Sequence, residues 1–184
     1  MSSDEAAAQP SASAIRRAAT RADLMARLDD LGIATSTLEH PAVFTVAESS
    51  ELEKQLTGGH TKNLFLKDDK GALFLVIAEA STRVDLKALG KRLKCGRLSF
   101  GKPELMERVL DITPGSVTAF AVMNAEAGQI GVVVDAGLMR HERVNCHPLV
   151  NTATTNIARD DLLRFIRVCG HDPRIMDVTG AAPD

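Results

Sequence analysis

The sequence predicts an α+β fold, with a mixed, mainly antiparallel sheet flanked by helices. Two hairpin patterns support this: residues 64–67 and 72–78 are apolar runs joined by an Asp-Asp-Lys-Gly turn, and residues 117–123 and 130–135 repeat the pattern. Helical segments interrupt these strands without a regular strand–helix–strand alternation. Because the chain also has no Gly-x-Gly-x-x-Gly segment, a dinucleotide-binding fold is set aside.

The helices are predicted from their end signals and their apolar spacing. Thr20 is a candidate N-cap with Asp23 as its capping-box partner, ahead of a leucine stripe that ends at Gly32. Pro103 suits the first turn of a helix over residues 103–110. Further helices are predicted over residues 46–56, 85–93 and 160–168, and a further strand over residues 33–38.

Length and composition indicate one domain and exclude some functions. Residues 1–14 are mostly Ala, Ser, Gln and Pro, which predicts a flexible tail ahead of a single domain over residues 15–184. A net charge of -2 argues against a protein that simply coats nucleic acid, although it leaves room for a local basic patch. With no Trp or Tyr and six Phe, aromatic stacking on bases is poorly supplied.

The cysteine pattern and the lack of long apolar segments predict a cytoplasmic protein without a membrane anchor. Cys95, Cys146 and Cys169 are odd in number and widely spaced, as expected of free thiols in a reducing compartment. The amino terminus lacks the apolar stretch of a signal peptide. No His-x-x-x-His or Cys/His spacing suggests a metal site, so neither a metal nor another cofactor is expected.

Residues 58–63, Gly-Gly-His-Thr-Lys-Asn, form the segment that most directly suggests chemistry. We read it as a glycine-rich loop that places Lys62 at the start of an apolar run. Glycines allow the backbone to turn sharply or to approach a ligand closely. A lysine fixed there is a point charge suited to a phosphate or to a developing oxyanion, whereas the alternative is a solvated surface lysine.

A basic stripe is predicted on the helix over residues 85–93. Spacings of four, four and three residues place its members on one helix face: Arg83, Lys87, Lys91 and Lys94. Such a stripe can follow the phosphates of a nucleic acid, and the alternative is an ordinary solvated face.

Two polar segments are further site candidates. Residues 113–118 form a turn entering a strand, whose backbone N–H groups can bind an anion. Residues 145–155 are dense in small polar groups that can orient a polar ligand, or they form a structural Thr-rich strand. Within them Cys146 beside His147 suggests a thiol nucleophile. Neighbours in an extended chain point to opposite faces, however, so this histidine is poorly placed to activate that cysteine.

Taken together in order, six motifs resemble those of a known family. They are His-Pro-Ala-Val-Phe at 40–44, Gly-His-Thr-Lys-Asn-Leu-Phe-Leu-Lys-Asp at 59–68, Val-Asp-Leu-Lys at 84–87, Arg-Leu-Ser-Phe-Gly at 97–101, Thr-Pro-Gly-Ser-Val-Thr at 113–118 and the segment 145–155. The chain resembles the YbaK/prolyl-tRNA-synthetase editing-domain superfamily over roughly residues 20–178. Within it the chain is most similar to the freestanding alanyl-tRNA(Pro) deacylases of the ProXp-ala or PrdX type.

The resemblance implies an enzyme that hydrolyses alanine mistakenly attached to tRNA(Pro). It implies that Lys62 is catalytic, holding either the terminal adenosine phosphate or the ester oxygen, and that His147 shapes the pocket. The family's substrate loop matches Gly115, Ser116, Val117 and Thr118, with Ala119 at the usual proline and Cys146 where many relatives carry Phe. The predicted substrate-binding set is completed by Asn63, Asn151 and Thr154.

The implied partners are the acceptor end of tRNA(Pro), read by the basic stripe, and prolyl-tRNA synthetase as a possible docking partner. An aminoacyl ester is already activated, so position and electrostatics suffice for its hydrolysis. Three alternatives stay open. They are deacylation of another small residue such as Cys or Ser on tRNA(Pro), a non-catalytic tRNA- or synthetase-binding module of this fold, and a thiol hydrolase using Cys146.

Overall fold

The computed structural model describes residues 17–42, 51 and 54–180, and the tail predicted over residues 1–14 lies outside them. The complete α-helices of this part are α1 (Arg21–Asp30), α2 (Leu86–Leu93), α3 (Pro103–Leu110) and α4 (Arg159–Val168). The strands are β1 (Thr35–Glu39), β2 (Gly59–Lys67), β3 (Leu73–Glu79), β4 (Ser99–Phe100), β5 (Gly131–Asp135), β6 (Arg143–Cys146), β7 (Ala153–Ala158) and β8 (Pro173–Met176). Short 3₁₀ helices cover Ala119–Asn124 and Leu138–Arg140.

One mixed sheet organises the described residues, in the order β1-β7-β6-β2-β3-β5-β8, with β4 beside β2. Four of its pairs are antiparallel, namely β1 with β7, β6 with β7, β2 with β3 and β2 with β4. The pairs of β2 with β6, β3 with β5 and β5 with β8 are parallel. The predicted α+β class with a mixed, mainly antiparallel sheet is confirmed.

Helices cover both faces of the sheet. Helices α1, α3 and α4 and the longer 3₁₀ helix share one core with the inward side chains of the central strands, and Phe120 packs edge-on against Phe165 with ring centroids 5.4 Å apart. On the other face α2 buries Leu89 and Leu93 against Leu66 and the alternate side chains of β3. The central strands are therefore held in a sheet that is covered by helices on both faces.

Several helix ends form as their sequence signals predict. Thr20 caps α1 in a capping box: its hydroxyl accepts from the Asp23 N–H at 3.2 Å, and the Asp23 carboxylate accepts from the Thr20 N–H at 2.7 Å. Pro103 opens α3 as predicted, whereas Asp85 is the N-cap of α2 rather than its first residue. Of the helix predicted over residues 46–56, Glu51 and residues 54–55 are helical, while 46–50 and 52–53 lie outside the described residues.

The prediction of a strand over residues 117–123 is wrong. Ala119–Asn124 is a 3₁₀ helix, which the Thr118 hydroxyl caps by accepting from the Phe120 N–H at 3.4 Å. Strand β5 pairs instead with β3 and β8. The side chains of residues 119–122 are all fully buried, so this run has no polar face whose period distinguishes a strand from a helix.

The prediction of a glycine-rich loop over residues 58–63 is also wrong, because β2 begins at Gly59 and Lys62 lies inside that strand. The two glycines instead allow close packing at the start of β2. A Cβ on Gly58, which has φ +99°, would lie 2.4 Å from the Arg143 carbonyl oxygen of β6, and one on Gly59 would lie 2.6 Å from the His141 ring. Gly58 thus lets the chain approach β6, and Gly59 makes room for the His141 side chain.

No helix among the described residues has the length and apolar character needed to cross a membrane.

Candidate functional site

The candidate site lies where the sheet forks along one edge of β2. Strand β2 pairs with β6 only at Gly59 and His60, and with β4 only at Leu66 and Lys67. Between these points no described strand covers that edge. A cavity of about 390 Å³ opens at the gap, within the size range of small-molecule sites. Its lining consists of His60, Thr61, Lys62, Asn63, Ala80, Gly115, Val117, Asn145, His147 and Thr154.

Lys62 reaches this cavity from the α2 face of the sheet. Alternate side chains of a strand share a face, and Leu64 and Leu66 both pack in the cluster beneath α2, so Lys62 projects to the same side. Lys62 is half-buried and is the only lysine or arginine among the described residues that line the cavity. No aspartate or glutamate belongs to that lining. The described lining therefore combines the Lys62 ammonium group with hydroxyl, amide and imidazole groups.

The loop that ends in the longer 3₁₀ helix closes the cavity from the opposite face. Gly115 has φ +91°, which favours glycine, and Ser116 N–H donates to the Thr113 carbonyl at 3.1 Å to form the turn. Gly115 and Val117 line the cavity, but Ser116 does not. Thr118 is fully buried behind the loop, where its hydroxyl donates to the His147 carbonyl at 2.6 Å. This bond fixes the loop to the segment that carries His147.

His147 is a half-buried, neutral imidazole at the cavity wall. Burial lowers its pKa, and the nearby His40, whose ring centroid is 6.2 Å away, lowers it further. Leu149, two residues on, adopts the left-handed conformation with φ +64° and donates its N–H to the His147 carbonyl at 3.0 Å. A strained turn of this kind persists only where its surroundings enforce it.

Thr154 lines the cavity and is held in place by His40. The Nδ1 atom of His40 lies 2.8 Å from the Pro41 carbonyl, which can only accept, so this nitrogen carries the proton. The Nε2 atom of His40 lies 2.9 Å from the Thr154 hydroxyl oxygen, and this hydrogen bond fixes the hydroxyl at the cavity wall.

A buried amide network supports the floor of the cavity. Asn145 donates through Nδ2 to the Thr57 carbonyl at 3.1 Å and accepts through Oδ1 from Asn156 Nδ2 at 2.8 Å. Thr61 donates its hydroxyl to the Asn145 carbonyl at 2.7 Å, where β2 leaves β6. These bonds satisfy the buried polar groups and fix the two strands at the point of the fork.

The predicted site residues thus separate into two groups. Six of them line the cavity: Lys62, Asn63, Gly115, Val117, His147 and Thr154. Ser116, Thr118 and Asn151 are not part of the lining, and Asn151 lies half-buried in the turn between β6 and β7.

The basic stripe is exposed along and beside α2. Its members Arg83, Lys87, Lys91 and Lys94 are all exposed, and Lys94 ends the helix in the left-handed conformation with φ 54°. Since α2 covers the face from which Lys62 reaches the cavity, the stripe and Lys62 lie on the same side of the sheet.

Five lining or supporting residues had no predicted role: His60, Thr61, Ala80, Asn145 and His40. Four of them belong to the sequence motifs, His60 and Thr61 inside one and His40 and Asn145 at the start of two others, so the signal was present without an assigned role. Ala80 carries no sequence signal: it is placed at the cavity because its N–H donates to the His60 carbonyl at 2.7 Å across the hairpin.

We predict that Cys146 is not alkylated in the native protein. It is 1% exposed, and burial raises its pKa to about 12, with a hydroxyl donor from Thr61 opposing the rise. At pH 8 only about one such thiol in 10⁴ is ionised. Peptide mass spectrometry after iodoacetamide treatment should find Cys146 modified only once denaturant is added. Rapid labelling of the folded protein would contradict the buried, protonated state.

Comparison with known proteins agrees with the fold and the motifs. A crystal structure described provisionally as a trans-editing enzyme for prolyl-tRNA synthetase superposes with a TM-score of 0.68 at 18% identity, covering 89% of this chain and 99% of the other. This likeness shows that the two proteins share an α+β fold. The model of the aminoacyl-tRNA editing domain matches residues 40–165, and the chain belongs to that family.

Two relatives show how far the similarity extends. The mouse (Mus musculus) prolyl-tRNA synthetase associated domain-containing protein 1 is 36% identical over 162 residues, which is 85% of this chain and 95% of the relative. The prolyl-tRNA editing protein ProX of Acetoanaerobium sticklandii is 33% identical over 149 residues, or 80% of this chain and 91% of that protein. The resemblance drawn from the sequence motifs is therefore confirmed at the level of the family.

Proposed function

We propose that this protein is a trans-editing hydrolase that removes alanine from mischarged alanyl-tRNA(Pro). The observation that carries the proposal is the cavity at the fork of the sheet, whose described lining residues include Lys62 as the only lysine or arginine and contain no carboxylate. The ProX relative, named a prolyl-tRNA editing protein, supports the choice of tRNA.

The reaction is the hydrolysis of an activated ester. Water adds to the ester carbonyl carbon, and the bond from that carbon to the ribose oxygen breaks. The ribose hydroxyl recovers a proton, and alanine leaves as its carboxylate with release of a second proton. Negative charge develops on the ester oxygens during this step, and a half-buried ammonium group beside them stabilises that charge more than water does. We assign this role to Lys62.

The other lining groups position the substrate. The Gly115–Val117 backbone holds the aminoacyl group, because a glycine with a positive φ leaves room for close approach. His147, neutral through its lowered pKa, contributes a hydrogen bond and a wall of the pocket rather than a charge. The neighbouring ribose hydroxyl of the substrate orients or deprotonates the attacking water, so the protein needs no carboxylate base.

The acceptor end of tRNA(Pro) approaches over the face covered by α2 in this proposal. The exposed basic stripe and Lys62 share that face, so phosphates bound by the stripe lead towards the cavity. The stripe carries the local positive charge that binding to a phosphate backbone requires, although the net charge of the whole chain is -2.

The experiment that tests the proposal is a panel of charged tRNAs. Hydrolysis rates are measured on tRNA(Pro) carrying alanine, cysteine, serine or proline. Alanine is too similar in size and chemistry to be rejected strongly by a synthetase site, so an editing pocket must instead exclude the larger proline. We expect kcat/KM for the alanyl ester to exceed that for the prolyl ester by about 100-fold or more.

The other outcomes of the panel are equally informative. Fastest turnover of the cysteinyl or seryl ester would assign another small residue as substrate. Rapid hydrolysis of prolyl-tRNA(Pro) would contradict the size argument. If none of the four charged tRNAs is hydrolysed, the protein is instead a binding module without deacylase activity.

A further inference from the structure

Asn63 carries a buried hydrogen-bonding atom that the protein leaves without a partner. Its Oδ1 is one of two buried side-chain polar atoms in the described residues with no hydrogen bond, the other being Nδ1 of His171. Buried acceptors are nearly always paired in folded proteins, because an unpaired one forfeits its bonds to water. Asn63 itself lines the cavity, so a modest rotation of its side-chain amide would present Oδ1 to a ligand there, which can provide the missing donor.

The open edge of β2 explains why no protein group fills this place. Residues of an antiparallel strand direct their backbone groups alternately to the two sides. Gly101 N–H donates to the Phe65 carbonyl on the β4 side, so Asn63, two residues earlier, turns its backbone to that same side. At Asn63 the pairing of β2 with β6 has already ended, at His60, and the pairing of β2 with β4 begins only at Leu66. The Asn63 side chain belongs to the face of Phe65, opposite to that of Lys62.

The chemistry of the aminoacyl group identifies the donor. In an alanyl ester the methyl group is apolar and both ester oxygens are acceptors, so the α-amino group is the only donor of the aminoacyl part. No carboxylate of the described residues lines the cavity, so the amino group must be recognised there by hydrogen bonding rather than by a counter-charge. Resting on the proposed deacylase function, we propose that Asn63 Oδ1 accepts from the substrate α-amino group and makes the free amine a requirement.

The test compares two esters on one enzyme preparation. Propionyl-tRNA(Pro) differs from alanyl-tRNA(Pro) only in that a hydrogen atom replaces the α-amino group. The wild-type protein should prefer the alanyl ester by about ten- to a hundredfold in kcat/KM, since the propionyl ester leaves Oδ1 unpaired. Because the two rates are measured on the same protein, a partly unfolded preparation does not alter their ratio.

Two variants separate recognition from a structural role. Asn63→Leu keeps a similar volume but has no acceptor, so hydrolysis of the alanyl ester should fall more than that of the propionyl ester, and the ratio of the two rates should approach one. Asn63→Asp keeps the acceptor and removes the amide N–H donors, so it should retain the preference for the free amine. Loss of that preference in Asn63→Asp would instead assign the Nδ2 donor to the substrate and overturn the proposal.

The remaining outcomes distinguish this inference from the function on which it rests. Equal wild-type rates on both esters, or an equal fall of both rates in Asn63→Leu, would overturn the role of Asn63 while leaving alanyl-tRNA deacylation intact. A wild-type protein that hydrolyses the propionyl ester but not the alanyl ester would overturn both.

Discussion

Replacing Lys62 by alanine is expected to lower kcat/KM for alanyl-tRNA(Pro) by about 10²–10³, the usual cost of removing one group that stabilises a developing oxyanion. The expected effect is large because Lys62 is the only lysine or arginine of the described cavity lining. The folded structure should be little affected, since Lys62 is half-buried and the substitution removes no core contact. Steady-state kinetics and a thermal unfolding curve of the same preparation measure both quantities.

Lys70→Ala is the matched control for this experiment. Lys70 is exposed in the turn between β2 and β3, at the end of the hairpin remote from the cavity. Its replacement by alanine removes the same charge as Lys62→Ala. A purely long-range electrostatic effect on tRNA binding would lower activity similarly in both variants. Deacylation that is unchanged in Lys62→Ala would remove this residue from the reaction. A rise in KM with kcat unchanged would assign it to binding alone.

The position of the site follows from the topology of the sheet. A strand edge without a neighbour exposes backbone groups that usually require cover. Here β6 and β4 cover the two ends of the β2 edge, and the cavity occupies the gap between them. Side chains from both faces of β2 can therefore reach one ligand, Lys62 from the α2 side and Asn63 from the opposite side.

Local signals in the sequence sufficed for the parts of the fold that are decided locally. The capping box at Thr20, the proline at the start of α3 and the turn over residues 68–71 all act within a few residues, and each forms as predicted. The 3₁₀ helix Ala119–Asn124 did not follow from such signals. Its conformation depends on burial from all sides by distant elements, so its sequence shows no periodicity that identifies it.

The candidate site could be predicted only in part for the same reason. Lys62, Gly115 and His147 belong to motifs and all line the cavity, but the pairing of β2 with β6 decides which of their neighbours join them. Thr118, expected to bind substrate, is buried beneath the loop and bonds to the His147 carbonyl. Asn145 and Thr61 meet across 84 residues of sequence, and such a contact leaves no local signal.

Gly58→Ala is expected to destabilise the protein and to disrupt the site together. Gly58 has φ +99°, where a side chain costs about 1–3 kcal/mol, and an added Cβ would lie 2.4 Å from the Arg143 carbonyl oxygen. Relieving that overlap requires β2 to move away from β6, which costs roughly another 1–3 kcal/mol. Denaturant unfolding should show a loss of about 2–6 kcal/mol in total.

Gly71→Ala separates the two costs, because Gly71 has φ +95° but open space around its Cβ position. It should lose only the backbone cost and keep full deacylation, since it lies in the turn far from β6. Gly58→Ala should be less stable than Gly71→Ala by the cost of the overlap and should lose activity under conditions where it is still folded, because β2 carries Lys62 and β6 leads to His147. Equal losses of stability with full activity in both would show that the close approach of β2 and β6 does not position the site.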